Sequence, residues 1–141
     1  MARIVVGIDG SENSVRALRW AIGEARLRGA DVDAIAAWSY PYVVVPGAIV
    51  PAEPLADQAV DAQAHLDRVL AEVGADRGDV TVNPIVTEGG AANALIEAAQ
   101  GADMIVIGSR GHGALRSLLG SVSQDVLHHA HCPVVVIPHE A

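Results

Sequence analysis

The 141-residue chain has no lysine and no phenylalanine, one cysteine, and aromatic side chains at only 3% of positions. Each shortage excludes something. The positive charge rests on nine arginines, so the lysine that reaches the terminal phosphates in the common P-loop is missing. Cys132 alone makes no intrachain disulfide, which fits a reducing compartment. Without phenylalanine the core falls mostly to Val, Ile, Leu and Ala. No apolar run approaches the ~18 residues of a membrane span. Met1 to Gly7 has no basic region leading into a long apolar stretch, so no signal peptide is expected and the cytoplasm is the expected compartment. A net charge of −8 disfavours non-specific binding to nucleic acid, which needs clustered cations. Neither nucleic acid nor a membrane is an expected partner.

What is present is a hydrophobic fraction of 51%, which excludes disorder. The length suits a single domain over residues 1–141, able to bury roughly 70% of its unfolded surface without disulfides or metal. Arg3 to Ile8 is a short β-branched run, the mark of a strand buried on both faces. Asp9-Gly10-Ser11-Glu12 follows as a helix start, with Glu12 three residues after Asp9 in the manner of a capping box. Val15, Leu18, Ile22 and Ala25 stripe a helix that Gly29 is placed to end. Asp31 to Trp38 is a second strand. Ser39 to Ala52, with Pro41, Pro46 and Pro51, is expected to be a loop, long enough to be functional or mobile. Glu53 to Val73 is a helix, and Asp79 to Thr87 an alternating strand whose Pro84 suits an edge. Ala91 to Gln100 is a helix, Asp103 to Ile107 an apolar strand, Ser121 to Ala130 a helix and Val134 to Ile137 a last strand.

Such alternation predicts an α/β fold: one doubly wound, five-stranded parallel sheet, Rossmann-like, with helices on both faces. Strand order 3-2-1-4-5 puts the polar strand with Pro84 at an edge and makes the first and fourth strands central. Ligands in such sheets bind beyond the carboxyl ends of the strands, at the switch point between those two. The fourth strand runs into Gly108-Ser109-Arg110-Gly111-His112-Gly113, and Gly120-Ser121 opens the next helix. Glycines let backbone approach a ligand, and a helix N-terminus with successive N–H groups favours an anion. Arg110, His112 and Arg116 add positive charge. The bland alternative is a glycine-rich connection that only turns the chain.

IVVGIDGS at the start, IVIGSRGHG after the fourth strand and LLGSVSQDVLHHAHCPVVVIP at the end resemble the universal stress protein family, over Ile4 to Pro138. The resemblance implies the strand order above, frequent homodimers, and two branches, of which the ATP-binding one carries G-x2-G-x9-G-(S/T). Gly108, Gly111 and Gly120-Ser121 match it, but eight residues rather than nine separate Gly111 from Gly120. What it implies for the site is that Gly7, Ile8 and Asp9 border the adenosine, with Asp9 at the ribose or adenine edge. Ala37 offers backbone near the adenine, Gly108 to Gly113 wrap ribose and phosphates, and Ser121, Val122 and Ser123 meet phosphates. Any magnesium is held mainly by those phosphates. The expected function is an ATP-dependent stress-response module. A slow ATPase using His112 or Asp9, and a nucleotide-free dimeric interaction module, are the alternatives.

Other candidates weigh less. His128, His129, His131 and Cys132 fall in one short run, whereas zinc sites draw fitting pairs from two places, so no metal is expected. A receiver domain needs an acceptor aspartate after strand 3, where Thr87-Glu88-Gly89-Gly90 stands, and a lysine after strand 5. A flavin carrier wants its phosphate loop after strand 1 and aromatics around the ring. Trp20 and Trp38 are expected to pack, with Trp38 the better ligand candidate. Val134 to Ile137 is an apolar edge that a homodimer pairing these strands would cover. Other protein partners stay unknown.

Overall fold

The computed structural model describes residues 2–38, 42–51, 55–109 and 121–139, with side chains described at all of these except 42, 43, 51 and 55–58. The elements run β1 (Arg3–Gly7), α1 (Glu12–Arg28), β2 (Asp31–Trp38), β3 (Tyr42–Val45), β4 (Ala48–Pro51), α2 (Leu55–Val73), β5 (Val82–Glu88), α3 (Ala91–Ala98), β6 (Met104–Gly108), α4 (Ser121–His129) and β7 (Val134–Ile137). The main sheet has the order β5-β2-β1-β6-β7, all parallel. This is the expected 3-2-1-4-5 arrangement, with Pro84 on the edge strand β5 and the apolar β7 on the opposite edge.

Alternating side chains feed two layers. Ile4, Val6 and Ile8, with Val32, Ala34, Ala36 and Val106, meet Val15, Leu18 and Ile22 of α1 and Leu66, Val69 and Val73 of α2. Val5, Ile35, Ile105 and Ile107 meet Leu95 of α3 and Val126 of α4 on the opposite face. Both faces of the central strands are therefore dry, as their unbroken apolar sequences require.

Three local expectations change. The segment read as a loop contains the antiparallel hairpin β3–β4, in which Val44 faces Ile49 and Val45 faces Ala48. Pro46 and Gly47 make its turn, and Gly47 has φ of 84°, which suits the second central position of a type II turn. The proline spacing hid two short apolar strands. The N-cap of α1 is Ser11, whose hydroxyl accepts from the Ser14 amide at 3.2 Å. Asp9 stands two residues earlier and accepts the Ser11 amide instead, so the pairing is not the Asp9–Glu12 box. Gly29 does end α1, at φ of 65°. Trp38 packs against the core, but Trp20 is 38% exposed on the outer flank of α1.

Candidate functional site

β1 and β6 are neighbours, and their connections diverge: β1 leads through Asp9, Gly10 and Ser11 into α1, while β6 leads toward α4 on the other face. The crevice between them lies at their carboxyl ends. Gly7 and Ile8 form its β1 side; Ile8 is buried, and its amide donates to Ile35 O at 2.8 Å. Asp9 is exposed at the rim, and its Oδ1 accepts from the Ser11 amide at 2.9 Å and from the Ser11 hydroxyl. Ala37, half-buried near the end of β2, is the next position along the sheet. Gly108 and Ser109, both half-buried, form the β6 side.

Two glycines read as ligand-approach positions have packing reasons. A Cβ on Gly108 would stand 2.7 Å from Cγ of Asn13, and one on Gly7 would stand 3.0 Å from Leu95 Cδ1. Asn13, 4% exposed, locks the crevice. Its amide donates to Ile137 O at 3.1 Å, and the Ser109 hydroxyl lies 3.5 Å from its Oδ1. The His139 amide donates to that same hydroxyl at 3.0 Å. The N-terminus of α1, the end of β6 and the end of β7 are thus tied together. The residue-by-residue reading missed Asn13. The available signal was that it heads a row at helical spacing with the small, buried Ala17 and Ala21.

α4 begins at Ser121 on the same end of the sheet. Ser121 and Val122 are exposed, whereas Ser123 is 3% exposed. The Ser123 hydroxyl donates to Gly108 O at 2.8 Å, so what it can offer a ligand is its backbone amide rather than its hydroxyl. Arg110, Gly111, His112, Gly113 and Gly120 lie outside the described residues. A cavity of about 460 Å³ is lined by Glu12, Asn13, Arg16, Arg19 and His139, of which Asn13 and His139 also hold Ser109. Its arginines are engaged: Arg16 donates to Pro138 O, and Arg19 pairs with Asp76 at 3.1 Å.

His128 and His129 close α4, and His129 Nδ1 lies 3.1 Å from Asp125 O. Among the described residues no three His, Cys, Asp or Glu side chains gather as a metal site, and no helix is long and apolar enough to cross a membrane.

An open parallel sheet of this order places its ligand site in the crevice at the switch point, the architecture of the doubly wound Rossmann-like folds. The sequence match is more specific: the family model of the universal stress proteins covers residues 1–138, and the chain belongs to that family. A universal stress protein of Mycolicibacterium smegmatis is 36% identical over 144 residues, covering 95% of this chain and 47% of that protein. One from Thermus aquaticus is 36% identical over 138 residues, covering 95% of this chain and 96% of its own length. The chain therefore spans about half the length of the mycobacterial relative and nearly all of the Thermus one. The universal stress protein of Archaeoglobus fulgidus in complex with dAMP is 25% identical, with a TM-score of 0.73 over 97% of this chain and 98% of that one.

Proposed function

We propose that this protein is an ATP-binding stress-response module of one domain that acts through nucleotide occupancy, with at most slow hydrolysis. The observation that carries the reading is the switch-point crevice, where the exposed Asp9 follows β1, the glycine-containing end of the neighbouring strand β6 lies beside it in the sheet, and the next helices start at Glu12 and Ser121. The dAMP complex of the A. fulgidus relative supports an adenine nucleotide as the ligand.

The local chemistry fits such a ligand. Ile8 and Ala37 offer an apolar seat and backbone for the base, next to Gly7. Asp9 accepts hydrogen bonds at the ribose or adenine edge. Gly108, Ser109, Arg110, Gly111, His112 and Gly113 wrap ribose and phosphates. Gly120, Ser121, Val122 and Ser123 present the start of α4 to phosphate oxygens, Ser121 through its hydroxyl and Ser123 through its amide. A magnesium ion would be held by the phosphates. The module works in the cytoplasm as a homodimer in which β7 of one copy pairs with β7 of the next, since among the described residues this apolar strand has a strand neighbour on one side only. Sedimentation of the purified protein at twice the monomer mass is the expected result.

The test is nucleotide content and affinity. Freshly purified protein is denatured, its supernatant assayed for adenine nucleotide, and the stripped protein titrated with ATP and AMP by calorimetry. Stoichiometric nucleotide or saturable binding is expected, lost in Gly111→Val with unchanged circular dichroism. The eight-residue interval between Gly111 and Gly120 favours one second reading, a nucleotide-free interaction module. No binding at millimolar ATP would establish it, and phosphate release over hours would identify a slow ATPase.

A further inference from the structure

A contact 58 positions apart in sequence closes over the β1–α1 turn. Gly10 has φ of +84°, and a Cβ there would stand 2.5 Å from Nδ1 of His65 and 2.9 Å from an Arg68 guanidinium nitrogen, so α2 lies directly on the turn. Arg68 Nη2 donates to Gly10 O, and its Nη1 reaches Glu72 Oε1 at 3.3 Å one helical turn on. Gly10 C=O and the Ser11 N–H belong to one planar trans peptide group and point in opposite directions. The cation that holds the carbonyl therefore also aims the N–H, and that N–H is the donor to Asp9 Oδ1 at 2.9 Å.

We propose that Arg68 is a positioning residue: by fixing the peptide plane between Gly10 and Ser11 it sets the orientation of the Asp9 carboxylate at the switch point, making α2 part of the binding unit. The consequence for affinity rests on the nucleotide reading above; the positioning itself does not. Arg68 acts through the peptide group, not by touching the ligand.

The experiment uses the whole chain with Arg68→Met, which keeps the stem and removes the donors, and Arg68→Lys, which restores a donor. Amide exchange of Ser11 is followed by NMR in nucleotide-free protein, with the amides of Leu66 and Val69 as internal controls for α2. In Arg68→Met the Ser11 amide is expected to exchange at least about fivefold faster while the controls hold, with Arg68→Lys between it and the parent. ATP affinity is expected to fall about five- to tenfold in Arg68→Met, but under about twofold when Asp9→Ala is already present, because the effect passes through Asp9. Unchanged Ser11 exchange in Arg68→Met overturns the proposal, as does an equal loss of affinity with and without Asp9. If the parent protein binds no nucleotide while Arg68→Met still loosens Ser11, the nucleotide reading falls and the positioning role stands.

Discussion

β1 carries a polar network at each end, and the two are built differently. At its start, the Arg3 amide donates to Asp103 Oδ2 at 2.7 Å. The Arg3 guanidinium donates to Asp33 Oδ2 at 3.2 Å, Ala98 O at 2.6 Å and Gln100 O at 2.8 Å. Asn83 Nδ2 donates to the other oxygen of Asp33 at 3.0 Å. The groups hold one another: the guanidinium joins β2 and the end of α3, Asp33 brings in β5, and the Arg3 amide ties down Asp103 just before β6. At its far end, Asp9 is exposed and satisfied on one oxygen by its own turn, while Asn13 and Ser123 brace Gly108 and Ser109 from behind. A network that closes on itself supports the fold. A network that braces backbone around an exposed acceptor leaves room for a ligand, and this contrast places the candidate site at one end of the sheet.

The largest effect expected is at the closed end. Arg3→Met removes three side-chain hydrogen bonds and leaves Asp33, 8% exposed, with Asn83 as its remaining side-chain partner among these contacts. Removing one member of a largely buried pair costs more than the pair contributes, so a loss of about 2–3 kcal/mol is expected in urea unfolding, with nucleotide affinity unchanged. A cost below about 0.5 kcal/mol would break the comparison. Gly108→Ala comes next. Its Cβ meets Asn13 at 2.7 Å, and overpacking of this kind costs about 1–3 kcal/mol. Part of that cost should vanish in Asn13→Ala, where the obstructing amide is gone, and a double-mutant cycle reads the coupling. Asp9→Ala is the mirror image of Arg3→Met. It forfeits local hydrogen bonds worth about 1 kcal/mol of stability at most, yet lowers nucleotide affinity about tenfold. Stability and affinity falling together in both variants would dissolve the distinction between the two ends.

The sheet was legible because its signals are local. Val5, Val6, Ile105 and Val106 are apolar in an unbroken run since both their faces are covered, and Pro84 marks an edge because it cannot serve as a ladder donor. The position of the crevice followed from strand order alone. What was not legible depends on distant partners. Gly108 looked like a glycine kept for a ligand, and only the fold shows Asn13 occupying the space beside it. Ser123 reads in sequence as a residue that meets phosphate, and only the fold shows that its hydroxyl is spent on Gly108 O, leaving the amide for that contact. Arg68 reads in sequence as one more surface cation on an amphipathic helix; its partner lies 58 residues away. The hairpin β3–β4 was hidden for a different reason. Three prolines in fourteen residues outweighed two short valine-rich strands, although Pro46-Gly47 is itself a turn signal.

The smallest expected effect again separates the ends, through the lone thiol. Cys132 lies just before β7 and is half-buried at the closed end. Burial pushes its pKa up, and the negative charge of Asp103 pushes it further, since both disfavour the thiolate. The thiolate is the reactive form, so a raised pKa leaves less of it at any given pH, and alkylation should be slower than for an unhindered cysteine. Measured against pH, the iodoacetamide rate should rise with a midpoint above the usual value of about 8.5. Asp103→Asn should move that midpoint down but leave it raised, because it removes the charge and leaves the burial, which is the larger cause. Saturating nucleotide should leave the profile where it is, because the thiol and the crevice stand at opposite ends of the parallel strands. A midpoint that moves with nucleotide would mean that the two ends of β1 are coupled.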